Sequence, residues 1–121
     1  HFKFWFSPPS SQELICSGGI HAGLVIGNAK ISPKELFFKN ELFRVYKDGD
    51  LINKAPASEI MGGPLKSLRW LVNFLVQRGM CLKKDSFVIP GSPVELVDIT
   101  CDTRLSIEIE HLGSLTTDFR N

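Results

Sequence analysis

The sequence predicts an α+β fold, mostly β, in which one long amphipathic helix lies on a sheet. Three observations predict it. Residues 64–78 carry apolar side chains at helical spacing. Asp48-Gly49 separates two runs that read as strands, the signature of a tight hairpin. Short apolar runs, each stopped by Gly or Pro, occupy most of the rest, as strands do.

The elements follow in chain order. Residues 1–17 are expected to be an irregular N-terminal segment: Phe2, Phe4, Trp5 and Phe6 are strongly apolar, and Ser7-Pro8-Pro9-Ser10-Ser11 interrupts any regular element. Residues 18–121 then form one domain. Leu24-Val25-Ile26 reads as a buried strand stopped by Gly27-Asn28, and 36–46 as a long strand with Phe38, Leu42 and Val45 among its apolar positions. Lys47-Asp48-Gly49-Asp50 turns the chain into a returning strand at 51–53.

The helix begins with Pro64, suited to a first helical position, and ends before Gly79, suited to a C-terminal cap. Leu65, Leu68, Leu71, Val72, Leu75 and Val76 make its apolar face, and Leu68, Leu71 and Leu75 are expected to pack on the sheet. Lys66, Arg69, Asn73 and Gln77 make the polar face, and Arg78 places a cation at the negative end of the helix dipole. Phe87-Val88-Ile89 reads as a short buried strand stopped by Pro90-Gly91-Ser92-Pro93. Strands at 94–99 and 104–110 follow, then a turn at His111-Leu112-Gly113-Ser114 and a closing strand at 115–119.

Length and composition bound the function. A chain of 121 residues, 43% hydrophobic and 22% charged, is one modest globular domain. A net charge of +1 gives no reason to expect nucleic acid. No apolar run approaches the roughly 20 residues of a membrane-spanning helix, so no membrane is expected. The first residues lack the pattern of a secretory leader. Cys16, Cys81 and Cys101 form no CxxC and no zinc spacing, and read as reduced thiols of a cytoplasmic protein.

Order and spacing of motifs carry a resemblance. Val25-Ile26-Gly27 is followed by the Asp48-Gly49 turn, and then by a polar segment, Ser58-Glu59-Ile60-Met61-Gly62-Gly63-Pro64, that opens the helix. Val88-Ile89-Pro90-Gly91-Ser92 and His111-Leu112-Gly113-Ser114 complete the series. Taken together these resemble the C-terminal part of the 2-keto-4-pentenoate hydratases and 2-oxo-3-hexenedioate (4-oxalocrotonate) decarboxylases, within the fumarylacetoacetate-hydrolase superfamily. The resemblance implies part of a mixed β-sheet roll with one long helix. It also implies a lyase, hydratase or decarboxylase, acting on small 2-hydroxy-dienoates and 2-oxo-enoates in aromatic-compound catabolism. Mg²⁺ or Mn²⁺ is the cofactor of such enzymes, held by carboxylates that chelate it for Lewis-acid catalysis.

Departures from the pattern shape the expectations for this chain. The family's metal-binding glutamates and active-site lysine lie upstream of the region resembled, so no metal ligand and no bound cofactor are expected here. Ser17, Gly18, Ile20 and His21 stand where the family has a D-N motif and serines. His21 is therefore the candidate for catalysis, against a structural role beside a Gly-rich turn. Pro90, Gly91 and Ser92 are the candidates for substrate binding, although Pro90 replaces a common Thr and supplies neither an N–H nor a hydroxyl.

The remaining tempting residues read as structural. Glu108 and Glu110 form a Glu-x-Glu pair but sit on a late strand, where a solvated strand face is the expectation. Ser58 and Glu59 precede the helix, and Glu59 is expected to favour its positive end. His111 on a turn and His1 carry less. Two functions stand open at this point. One is a fragment or truncated form of the lyase, inactive alone. The other is a non-catalytic binding or assembly protein that keeps the fold. A homo-oligomer is expected in either case, because exposed sheet edges and apolar patches seek partners.

Overall fold

The computed structural model describes residues 10–16, 18–19, 23–28 and 30–120. The fold is α+β and mostly β. A helix α1 (Ser11–Cys16) is followed by strands β1 (Leu42–Lys47) and β2 (Asp50–Pro56) and helix α2 (Pro64–Val76). Strands β3 (Thr103–Ile109) and β4 (Gly113–Phe119) close the series. The four strands make one antiparallel sheet in the order β2-β1-β3-β4.

The β1–β2 hairpin forms where the Asp-Gly pair predicts it. Lys47 pairs with Asp50, leaving Asp48 and Gly49 as a two-residue loop with φ of +53° and +97°. Positive φ at both central residues matches the right-handed twist of the strands, and glycine adopts it without steric cost. The loop is tied to the start of β3: Asp48 N–H donates to Arg104 O (2.8 Å), and Arg104 N–H donates to Asp48 Oδ1 (2.8 Å). That contact sets β3 beside β1, where Phe43, Arg44 and Val45 face Ile109, Glu108 and Ile107.

Alternation divides the sheet into two faces. Phe43, Val45, Leu105, Ile107, Ile109 and Leu115 share one. Arg44, Tyr46, Arg104, Ser106, Glu108 and Asp118 share the other. Bonds cross strands on the polar face: Arg44 to Glu108 (3.0 Å), Tyr46 to Glu108 (3.2 Å), Arg104 to Asp118 (2.7 Å) and Ser106 to Thr116 (2.8 Å). Partial burial, and then the charge of Glu108, raise the Tyr46 phenol above its ordinary pKa. Among the described residues the core is small: Val45 (2% exposed), Ala57 and Ile60 (4%) are its buried apolar members.

Helix α2 starts at Pro64 as predicted. At its other end, Gly79 N–H donates to Val76 O (3.0 Å) and Met80 N–H to Leu75 O (2.9 Å), with Gly79 at φ +68°. This is a Schellman closure, which needs a left-handed residue and so explains the glycine. The expected packing on the sheet is not what the structure has. Leu68, Leu71 and Leu75 are only half-buried, no residue of α2 is fully buried, and extensive contacts join strands to strands rather than α2 to the sheet. The helix is anchored at its start instead, where Ser67 Oγ donates to Pro90 O (2.7 Å). Further along, Trp70 stacks on Phe74 at 5.2 Å between centroids, and the Arg78 guanidinium sits 3.5 Å above the Phe74 ring.

Several expected strands are absent. Residues 24–26, 87–89 and 94–99 are irregular, and 36–41, which follows a 3-10 turn at Pro33–Glu35, holds a turn at 38–40 rather than the start of β1. Val25, Phe87 (73% exposed) and Leu96 (79% exposed) lie open to solvent, not buried. Apolar content marks these runs as strand-like, but a strand exists only when a neighbour completes its hydrogen bonds. Among the described residues they have no such neighbour. Within the segment expected to be irregular, Ser10 and Glu13 build a capping box that opens α1: Ser10 N–H donates to Glu13 Oε2 (2.7 Å) and Glu13 N–H to Ser10 Oγ (3.3 Å).

Candidate functional site

The apolar face of the sheet forms the floor of a cleft of about 520 Å³. Phe43, Val45, Ile107, Ile109 and Leu115 supply that floor, the segment from Val88 to Val94 one wall, and Leu112 to Ser114 the opposite rim, with Leu24 and Gly27 alongside. Its volume falls within the roughly 300–1,000 Å³ typical of small-molecule sites. Pro90, Gly91 and Ser92, the sequence candidates for substrate binding, all line it.

The wall holds its position through three contacts. Ser67 ties Pro90 O to helix α2. Gly91 has φ +123°, and a Cβ there would stand 3.2 Å from Ile60 Cγ2, so glycine lets the backbone pass close to the core. Ser92 Oγ donates to Val94 O (2.7 Å) and accepts from Val94 N–H (3.2 Å), which bends the chain and commits the hydroxyl. At Gly91 and Ser92 the backbone, rather than a free polar side chain, is therefore what this wall offers a ligand.

The rim is held by a cluster that the sequence reading left aside. Glu41, at the foot of β1, has a side chain only 4% exposed. Its carboxylate accepts from Phe37 N–H (2.9 Å) and bonds His111 Nδ1 (3.1 Å). His111 sits in the β3–β4 turn at φ +62°, with its ring edge-on to Phe37 at 5.9 Å. A non-glycine residue in the left-handed region is strained, and the bond to Glu41 holds it there. Sequence gave no signal for Glu41, a charged residue beside an apolar strand whose burial depends on a turn some 70 positions away.

The other candidates are dispersed. His21 lies outside the described residues, as do Ser17, Ile20 and His1. Glu108 lies on the polar face, away from the cleft, with its two oxygens taken by Arg44 and Tyr46. Glu110 falls beyond the end of β3, exposed in the turn. Glu59 does not cap α2: the residue before the helix is Gly63, the cap has no side-chain bond, and Glu59 lies in its own 3-10 turn (Ala57–Glu59). All three cysteines are free and exposed.

The cleft does not fit a hard divalent cation on its own residues. Such an ion takes several oxygen ligands, carboxylates among them. The described lining residues include no carboxylate, and the Ser92 hydroxyl is already engaged. No group of three or more His, Cys, Asp or Glu side chains suited to a metal occurs among the described residues.

No protein-family model matches the chain. Among curated relatives, it is 24% identical over 108 residues to a 2-hydroxyhexa-2,4-dienoate hydratase of Comamonas testosteroni, covering 89% of this chain and 41% of that protein. It is 21% identical over 107 residues to a 2-keto-4-pentenoate hydratase of Paraburkholderia phymatum, covering 88% of this chain and 41% of that one. Among solved structures it matches the 4-oxalocrotonate decarboxylase of Pseudomonas putida complexed with magnesium and adipate. That match has a TM-score of 0.73 at 22% identity, over 77% of this chain and 35% of the other. The decarboxylase and this chain thus share a fold, and the chain spans about 41% of the length of the curated relatives it matches.

Proposed function

We propose that this chain forms the C-terminal sheet-and-helix part of a divalent-metal-dependent lyase, a hydratase or decarboxylase of 2-hydroxy-dienoates and 2-oxo-enoates. The observation that carries this reading is a match of 108 residues to a hydratase, in a chain whose fold is shared with a decarboxylase. In this reading the backbone of Pro90, Gly91 and Ser92 lines the substrate cleft, and the metal-binding carboxylates belong to a part of the fold outside this chain. Mg²⁺ or Mn²⁺ held there would supply Lewis-acid catalysis. The 121-residue chain by itself is then inactive, cytoplasmic and self-associating. Its open apolar residues, Leu65, Trp70, Phe87, Ile89 and Leu96 among them, favour association.

The test begins with the genomic sequence upstream of residue 1 and an assay of dienoate absorbance with Mg²⁺ or Mn²⁺. A reading frame that supplies Glu-x-Glu and a later Glu, and whose product turns over a 2-hydroxy-dienoate, supports the lyase. A complete product with neither carboxylates nor turnover sinks it and favours the non-catalytic binding protein. Metal-dependent turnover by the 121-residue chain alone would overturn its proposed inactivity. Sedimentation velocity tests association, which a clean monomer at high micromolar concentration would refute.

A further inference from the structure

The relatives differ in the far end of the acid they are named for or hold. Hexa-2,4-dienoate and 4-pentenoate carry one carboxylate and a hydrocarbon tail. Adipate, held by the decarboxylase, carries a carboxylate at each end. The cleft of this chain bears on which kind it takes. Its floor is built from the side chains of Phe43, Val45, Ile107, Ile109 and Leu115, and Val94 closes its wall. Of the charged residues on the same strands, Arg44, Arg104, Glu108 and Asp118 stand on the opposite face and are paired with one another, while Lys47, on the cleft face at the hairpin end of β1, is not among the lining residues and donates its ammonium to Asp98 O (2.9 Å).

We infer that this cleft receives the hydrocarbon tail of a mono-acid, so that the substrate class is 2-hydroxy-dienoates or 2-oxo-enoates with one carboxylate rather than enedioates. This rests on the lyase reading and narrows it. An alkyl or alkenyl tail on this floor is removed from water, which is favourable in proportion to its area. A second carboxylate in the same place loses its hydration, and a buried charge is tolerated only when paired. The sheet geometry opposes such pairing: the Lys47 ammonium is held by Asp98 O at the hairpin end of β1, and bringing Arg44 or Arg104 to the cleft would need a one-residue register slip, which would turn the whole apolar set out to solvent.

The experiment is an amide chemical-shift titration of the 121-residue chain with two acids of equal length, 2-oxohexanoate and 2-oxoadipate, at physiological ionic strength. 2-Oxohexanoate is expected to shift Gly91, Ser92, Val94, Ile107 and Leu115, with a dissociation constant about tenfold below that of 2-oxoadipate. A Val94→Lys variant, which brings an ammonium to the wall on a flexible stem, is expected to reverse the preference. Equal or tighter binding of 2-oxoadipate at these same residues would overturn the inference and leave the lyase reading standing. Shifts from neither acid at these residues would also overturn the inference, while the lyase reading stands or falls on the turnover of the complete product.

Discussion

Replacing Gly91 by alanine tests how the wall of the cleft is held. Residue 91 has φ +123°, well outside the left-handed helical well near +57° that non-glycine residues visit. Holding an L-residue in such a region costs on the order of 1–3 kcal/mol. The new methyl would also lie 3.2 Å from Ile60 Cγ2. Carbon atoms prefer about 3.5–4.0 Å, so one side must give by a few tenths of an ångström. Ile60 is 4% exposed and has little room to move. Against this, alanine restricts the unfolded chain and returns roughly 0.4–1 kcal/mol. The net expectation is a loss of about 2–3 kcal/mol, read as a lower urea midpoint by circular dichroism. Gly79→Ala is the control: its φ of +68° lies in the left-handed well and a Cβ there meets nothing within 4 Å, so about 1 kcal/mol is expected. If Gly91→Ala costs no more than Gly79→Ala, the backbone is not pinned against Ile60 and this description of the wall is wrong.

Three further outcomes follow from the geometry. Glu41→Gln replaces one of two acceptor oxygens by an amide N–H donor in a buried site, so the Phe37 N–H keeps its partner while His111 Nδ1 keeps one only as an acceptor, and the lost carboxylate bonds are expected to cost about 1–3 kcal/mol in the same denaturation assay. An unchanged midpoint would show that the Glu41–His111 clasp does not hold the rim. Leu71→Ala is expected to cost about 1–2 kcal/mol, below the ~2–5 of a fully buried leucine, because Leu71 is half-buried; Lys66→Ala should change stability by less than about 0.5 kcal/mol. Hydrogen bonds from Arg104 hold the Asp118 carboxyl below its ordinary pKa; desolvation opposes them, and the charges of Arg104 and Arg120 add to the lowering. A depressed folded pKa contributes stability above the unfolded pKa, lost as pH falls through the folded value. Asp118→Asn should therefore flatten the stability loss below about pH 4, measured as urea midpoints against pH; an unchanged acid slope would count against the pairing.

Where the sequence was legible, the signal was local. The hairpin loop at Asp48-Gly49 follows from the backbone needs of two residues, and the helix from Pro64 to its closure at Gly79 follows from a first-turn proline and a left-handed cap. Pro90, Gly91 and Ser92 stand forward through the family resemblance rather than through local turn chemistry, and the structure brings all of them to one cleft. The capping box of Ser10 and Glu13 is equally local, but the neighbouring prolines point to an irregular segment instead.

The sequence by itself therefore determined the turns, the caps, the amphipathic helix and the alternation that gives the sheet one apolar face. Each of these depends on residues within a few positions of one another, or on a period of two or 3.6. Tertiary structure alone decided which apolar runs became strands, because a strand is completed by hydrogen bonds to a neighbour. Leu24-Val25-Ile26 and Phe87-Val88-Ile89 have the right side chains and no such neighbour among the described residues. It also decided that Glu41 is buried and Glu108 is not a ligand of the cleft: the first meets His111 and the second Arg44 and Tyr46 only when distant segments pair in this register.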